Sequence, residues 1–257
     1  MISSKWFKAA WPPIMVVFLL LVVWQLAVVI FNIELWILPD PISIIQEGIH
    51  NFRSLWMHTV ATIKLTLIGF AIGIVIGVGV AWLLHLIPGF KKGFYPILVL
   101  TQNIPMIALA PLLMIWFGFG VLPKIIVISI VVFFPIAVAL MDGFLQTDQV
   151  MLNYMKMIGA TRLQIFRKLE LPHALPSFFS GLKISATYAV SGAMISEWLS
   201  SDKGIGYYMK QQKAGFKTDR VFDSIFIIVL LSIILFYSIV ILESIVIRWK
   251  SRSHKWN

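Results

Sequence analysis

The side chains able to do chemistry are few, and most stand inside apolar runs. Gln102 and Asn103 lie side by side in VLTQNIPM, and Ser191, Ser196 and Glu197 follow one another through VSGAMISEWL. Amides, hydroxyls and a carboxylate in such surroundings need hydrogen-bond partners. Neighbouring helices can supply those partners, and so can a small polar solute passing between the helices. Spacing alone leaves both readings open. Lys64 and Lys183 stand near the ends of apolar runs, where a long side chain can reach the interface or a pathway. Other chemistries lack their motifs. There is no cysteine, so there is no disulfide, thiolate nucleophile or cysteine metal site. No phosphate-binding Gly-x-x-x-x-Gly-Lys-Ser/Thr loop occurs, no His-Glu-x-x-His, and no Gly-x-Ser-x-Gly. His50, His58, His85, His173 and His254 are scattered. The chain therefore cannot hydrolyse ATP by the phosphate-loop route, and its motifs reveal no bound cofactor. An ion-coupled carrier or channel is a second class, but such carriers place an acid near mid-membrane. Here Glu197, Asp223 and Glu243 all lie near the ends of runs.

A different kind of site is suggested by Gln149–Pro172, QVMLNYMKMIGATRLQIFRKLELP, the one long amphipathic, basic segment between apolar runs. Leu152, Met155 and Ile158 repeat at helical steps, and Gly159 stands where a helix would end in a left-handed residue. Thr161 and Gln164 have the spacing of a capping box for a second helix. That helix aligns Leu163, Phe166 and Leu169 in one stripe, with Ile165 beside it and Arg162, Arg167 and Lys168 off it. Leu171-Pro172 should stop it. The expectation is helix, glycine turn, helix, proline stop: an apolar ridge on a basic base. It could rest on acidic headgroups or dock a protein.

The rest of the chain must hold these residues in a membrane. It is 60% hydrophobic and 12% charged over 257 residues, about half the charge of a soluble domain. Its mean hydropathy is +0.92. The expected fold is all-α and polytopic, one transmembrane domain with six transmembrane helices at approximately 12–31, 59–86, 95–117, 124–141, 174–199 and 224–247. The first run lacks a small-residue cleavage site and reads as a retained span. Ile42, Ile45, Ile49 and Phe52 predict a helix lying flat at the outer surface, after the prolines at 39 and 41. Gly69, Gly73 and Gly77 share one face of the second span and predict close backbone approach. Pro105 and Pro111 interrupt the third span, and Pro135 should kink the fourth. The fifth is small and polar, through Ser185, Thr187, Ser191, Gly192 and Ser196. Residues 200–223 read as an outer loop rich in lysine. With both termini inside, the inner segments hold 13 of the 21 basic residues but 4 of the 11 acids. That satisfies the positive-inside rule and puts the 149–172 elbow in the cytoplasm.

The elbow then resembles a known pattern. Gly159, nine residues, Leu169, one residue, and Leu171-Pro172 match the tail of the cytoplasmic "EAA" loop in permease subunits of binding-protein-dependent ABC importers. At the head, Asn153-Tyr154-Met155 stands where that loop has Glu-Ala-Ala, and Leu169 replaces isoleucine. TQNIPMIALAPLLMIWFGFG and SEWLSSDKGIGYYM resemble the same family, and the likeness covers about residues 50–245. It implies a type I ABC importer permease in a bacterial-type cytoplasmic membrane. It implies a pair of permeases, most simply a homodimer, with two cytoplasmic ATPases that use ATP and Mg, and an extracytoplasmic solute-binding protein. It also implies that the ATPase docks on Tyr154, Met155, Gly159, Arg162, Leu163, Phe166, Arg167, Leu169, Leu171 and Pro172. Leu163, Phe166 and Leu169 would fill a groove there, and Arg162 and Arg167 would pair with its acids. The overall look is nearest the nitrate, sulfonate, taurine and thiamine-precursor branch. Span centres with amides, hydroxyls and aromatics but no cation favour a neutral, flat pyrimidine precursor. Lys64 and Lys183 keep a sulfonate or nitrate as the alternative.

Overall fold

Glycine spacing decides the central packing. In the computed structural model, which describes residues 3–87, 90–101 and 103–247, helix α3 (Phe52–Leu86) lies against α6 (Val121–Leu145). A Cβ on Gly69 would stand 2.6 Å from Ile128, on Gly73 2.6 Å from Val132, and on Gly77 2.7 Å from the Phe133 carbonyl. Only hydrogen fits at these contacts, as the four-residue repeat requires. Ser129 donates to the Gly69 carbonyl at 3.2 Å across the same seam. An adjoining face of α6 meets α9 (Leu171–Ser200). There Gly181 would place a Cβ 2.7 Å from the Pro135 carbonyl, and Ser185 donates to Val132 at 2.8 Å. Thus α3, α6 and α9 pack mutually, and Ile128, Val132 and Ile136 form a buried core with Phe179, Leu182, Ala186 and Ala189. Gly73→Leu should force α3 from α6. Overpacking of this kind costs about 1–3 kcal/mol, so the melting temperature in detergent should fall, while Gly79→Leu, whose Cβ would meet open space, should leave it unchanged.

Around these three helices, α11 (Thr218–Val246) packs on α9, and α10 (Ile205–Ala214) fills the corner between them. The amphipathic α2 (Pro41–His50) rests on α11, and α1 (Ser3–Ile30) touches mainly α2. Among the described residues, four helices are long and apolar enough to cross a bilayer: Trp11–Ile30, Phe52–Leu86, Val121–Leu145 and Thr218–Val246. Between α3 and α6 the chain makes two shorter helices, α4 (Phe90–Thr101) and α5 (Met106–Phe117), broken just before Pro105. Two shorter helices, α7 (Gln149–Met157) and α8 (Arg162–Ile165), lie between α6 and α9.

Several expectations need correction. Residues 200–223 are not an open loop, because α10 occupies them with Ile205, Tyr208, Met209 and Gln212 buried. Those four residues stand at i, i+3, i+4 and i+7, the helical signature, so the signal was present among the lysines. Phe52 opens α3 instead of continuing α2, since Asn51 ends that helix. Ile42, Ile45 and Ile49 face outward while Ile44 is buried, so the apolar stripe of α2 is turned away from the protein. Asp40 caps α2 through the Ile42 and Ser43 amides. Burial works against ionising Asp40, but the hydrogen bonds from Ser43 and Gln25 outweigh it and hold its carboxyl below the usual range. Gln102, the turn at Pro88 and Gly89, and the basic tail from Arg248 lie outside the described residues.

Candidate functional site: an elbow and a groove

The elbow is built by local rules first. Asp148 accepts from the Val150 and Met151 amides and starts α7. The helix closes with Gly159 at φ +77°. The Gly159 amide donates to Lys156 and the Ala160 amide to Met155, each at 3.0 Å. These are the two bonds of a Schellman motif, which needs a left-handed residue at that position. Thr161 and Gln164 then form both legs of a capping box, at 3.3 and 2.8 Å.

The proline stop does not form. Instead α8 passes into a π-helical turn, Phe166–Glu170, which runs on into α9 with Pro172 in its first turn. Proline is tolerated there because first-turn amides have no intrahelical acceptor. The Leu171 amide reaches back five residues to the Phe166 carbonyl, so the wider turn absorbs the junction.

Tertiary packing then divides the elbow into two faces, and the division differs from the sequence stripe. Phe166 turns inward, its ring 5.8 Å from Phe144 and 6.0 Å from His85. Ile165 is buried, and Leu169 and Pro172 are half-buried. Phe166 therefore packs against its own bundle and is only half-buried, apart from the fully outward ridge. The outward apolar ridge comes chiefly from α7 and the turn: Val150, Met151, Tyr154, Met157 and Ile158, joined by Leu163. Met155 is half-buried, Leu171 is exposed, and Arg167 stands free of any ion pair among the described residues.

Arg162 does not wait for an external acid. Its Nη1 donates to Glu170 Oε1 at 2.5 Å, and its Nη2 lies 3.0 Å from His85 Nε2. That same ring nitrogen lies 2.8 Å from Glu170 Oε2. Glu170 is 3% exposed and was not singled out in the sequence. Its position in the Leu-x-Leu-Pro tail gave no signal, because its partners are 8 and 85 residues away. Burial alone would raise its carboxyl, but the hydrogen bonds of Arg162 and His85 win and hold it below the ordinary glutamate range. A folded-state value below the unfolded one stabilises the elbow above the unfolded value. That contribution is lost as pH falls through the folded value. Protection of the Arg162–Leu171 amides, taken relative to the intrinsic exchange rate at each pH, should therefore fall as pH drops below about 4.3, the ordinary glutamate value.

The second feature is a cavity of about 630 Å³ beside α6, within the usual size range for small-molecule sites. Ile104 and Met106 line it at the break before α5, with Phe133, Phe134 and Val138 of α6 and Ile184 of α9. Its polar side chains are Asp142 and Tyr188. Asn103 adjoins this wall but is exposed and donates to the Val99 carbonyl at 3.3 Å. Ser191 is half-buried and does not line the cavity.

Ser196 and Glu197 do not line this cavity. Ser196 is fully buried and donates to Ala193. Glu197 is 1% exposed, accepting from Thr62 at 2.9 Å and from the Gly206 amide at 3.0 Å. The Ile205 amide donates to Thr62 at 2.8 Å and the Gly204 amide to His58 at 3.1 Å. These bonds pin the start of α10 to α3 and α9. Lys183 is likewise committed, 2.9 Å from Glu243 of α11, while Lys64 remains exposed.

A family model described as the inner membrane component of binding-protein-dependent transport systems matches residues 73–249, which take in the second half of α3, all of α6 and α9, the elbow and the groove. The chain belongs to this family. It is a multi-pass permease subunit of an ABC transporter, not an enzyme, and its family works with an ATPase and a solute-binding protein. The permease is 36% identical over 241 residues to the formylaminopyrimidine transport permease protein ThiX of Halalkalibacterium halodurans, covering 93% of this chain and 96% of that one. It is 27% identical over 223 residues to the taurine transport permease protein TauC of Escherichia coli, covering 84% and 81%. Its fold is shared with a chain of the MetNI methionine ABC transporter, at a TM-score of 0.64 and 22% identity over 76% of this permease and 95% of that chain.

Proposed function

We propose that this permease carries a neutral, flat, pyrimidine-type thiamine precursor through the groove beside α6, driven by ATPases that grip its elbow. The observation that carries the reading is the elbow itself. A row of large apolar side chains stands outward on α7 and Leu163 while Phe166 and Ile165 lock its rear to the bundle. A rigid, greasy ridge with a basic flank fits a protein groove. Two copies of the chain, each crossing the membrane six times with termini and elbow in the cytoplasm, would bind two ATPases, which use ATP and Mg. An outer binding protein would deliver solute near α10, where Lys203, Lys210, Lys213 and Lys217 are exposed. Closure of the ATPases would then switch the bundle between inward-open and outward-open states.

The groove supports the choice of solute. Its lining offers aromatic and apolar walls, one acid and one phenol, and no base. Lys183, the cation best placed for an anion, is neutralised by Glu243. The likeness to a formylaminopyrimidine permease points the same way. A sulfonate or taurine is the alternative, supported by the likeness to TauC. The test is uptake into proteoliposomes holding the permease with its ATPase and binding protein. Labelled formylaminopyrimidine should enter with ATP, and excess taurine should not compete. Competition by taurine would favour the alternative. Uptake by the permease alone, on an ion gradient, would overturn the importer reading.

A further inference from the structure

We propose that Glu170 is the latch that makes the elbow and α3 move as one body, and so fixes how much solute is moved per ATP. The inference rests on the permease reading above. The elbow is joined through the chain to α6 on one side and to α9 on the other, but α3 has no such link to it. Its connections are the Glu170 carboxylate on His85 at 2.8 Å, the Arg162 guanidinium 3.0 Å from the same ring nitrogen, and the Phe166 ring, which lies beside that imidazole and packs in the cluster holding Ala81 and Leu84. His85 is itself stacked on Phe144 of α6 at 4.3 Å, so the latch gathers α3, α6 and the elbow at one point. Arg162 reaches the same carboxylate from the far end of the second short helix, at 2.5 Å.

The backbone makes such a latch necessary. A π-helical turn separates α8 from α9, and π turns inside helices are places of weak regularity and bending. Force applied to the outward ridge would swing the elbow about that turn unless something ties it to α3. A nearly buried carboxylate held by a guanidinium and an imidazole resists that swing, because breaking it would leave a charge unpaired in a dry site. Glu170 is a positioning residue here: it touches neither solute nor nucleotide.

The experiment uses the complete complex of permease, ATPase and binding protein in proteoliposomes. ATP hydrolysed per solute imported is measured for the wild type, Glu170→Gln and Arg162→Gln. The second variant removes the half-exposed partner, so the latch is still read if the first folds poorly. Because the chain has no cysteine, Lys168→Cys on the elbow and Leu83→Cys on α3, both exposed, accept spin labels cleanly. Their separation is compared without nucleotide and after trapping with ATP and vanadate. The wild type should keep one narrow separation in both states. In the variants the ATPase should still co-purify, ATP spent per solute should rise roughly tenfold, and the separation should broaden on trapping. Wild-type ATP use per solute in the variants would overturn the latch, and so would uncoupling with the separation unchanged. Failure of ATP-driven uptake in the wild-type complex would instead overturn the permease reading, a result distinct from either.

Discussion

Gly159→Asp is expected to abolish ATP-driven uptake, with a fall of roughly tenfold or more, while insertion and abundance stay within about twofold. Two effects compete at this residue. The first is backbone strain, because Gly159 sits at φ +77°, and a left-handed non-glycine residue costs roughly 1–2 kcal/mol, less for aspartate, which tolerates that region. The second is the side chain itself. Nothing lies within 4 Å of a Cβ placed there, so the added carboxylate meets no part of the permease. It stands in the open turn beside Ile158 and Met157, which are 63% and 80% exposed. The strain is too small to unfold a packed bundle. The large effect must come from a charge left where a partner has to cover apolar surface. Gly159→Asn separates the two, since it keeps the left-handed tolerance without the charge and should retain more uptake than the aspartate. Equal loss in both variants would mean that the turn geometry is the sensitive quantity. Normal uptake by Gly159→Asp would remove the elbow's role altogether.

Glu197→Ala is expected to be strongly destabilising where α10 meets α3 and α9. The carboxylate is 1% exposed and accepts from the Thr62 hydroxyl and the Gly206 amide. Truncation leaves that amide without a partner in a buried site and opens a cavity, together costing roughly 2–5 kcal/mol. Gly206 cannot move to recover a bond, because its backbone is packed against the Met194 carbonyl. Glu197→Gln keeps an acceptor oxygen in the same place and should lose much less. The check is thermal unfolding of the purified permease in detergent, with exchange of the Gly204–Gly206 amides as the local readout. A small shift for the alanine variant, or equal shifts for both, would show that the carboxylate does not hold α10.

The sequence by itself determined what depends on neighbours a few residues away. Apolar length and charge scarcity required membrane helices. The Gly69, Gly73 and Gly77 repeat required a close helix contact, and α6 supplies it. Thr161 with Gln164 and the glycine at 159 required a capped second helix after a left-handed turn, and both form. Those rules act within one or two helical turns, so composition and spacing carry them. Only the tertiary structure decided which residues the elbow turns outward. Phe166 and Leu163 share a sequence stripe, yet one packs on Phe144 and the other stands in the open. It alone committed Arg162 to Glu170, Lys183 to Glu243 and Glu197 to the root of α10. It alone gathered Asp142 and Tyr188 into one groove. The physical reason is the same in each case. A helical pattern names a face, but what that face meets is set by helices tens of residues distant along the chain, and burial and pairing follow from that meeting.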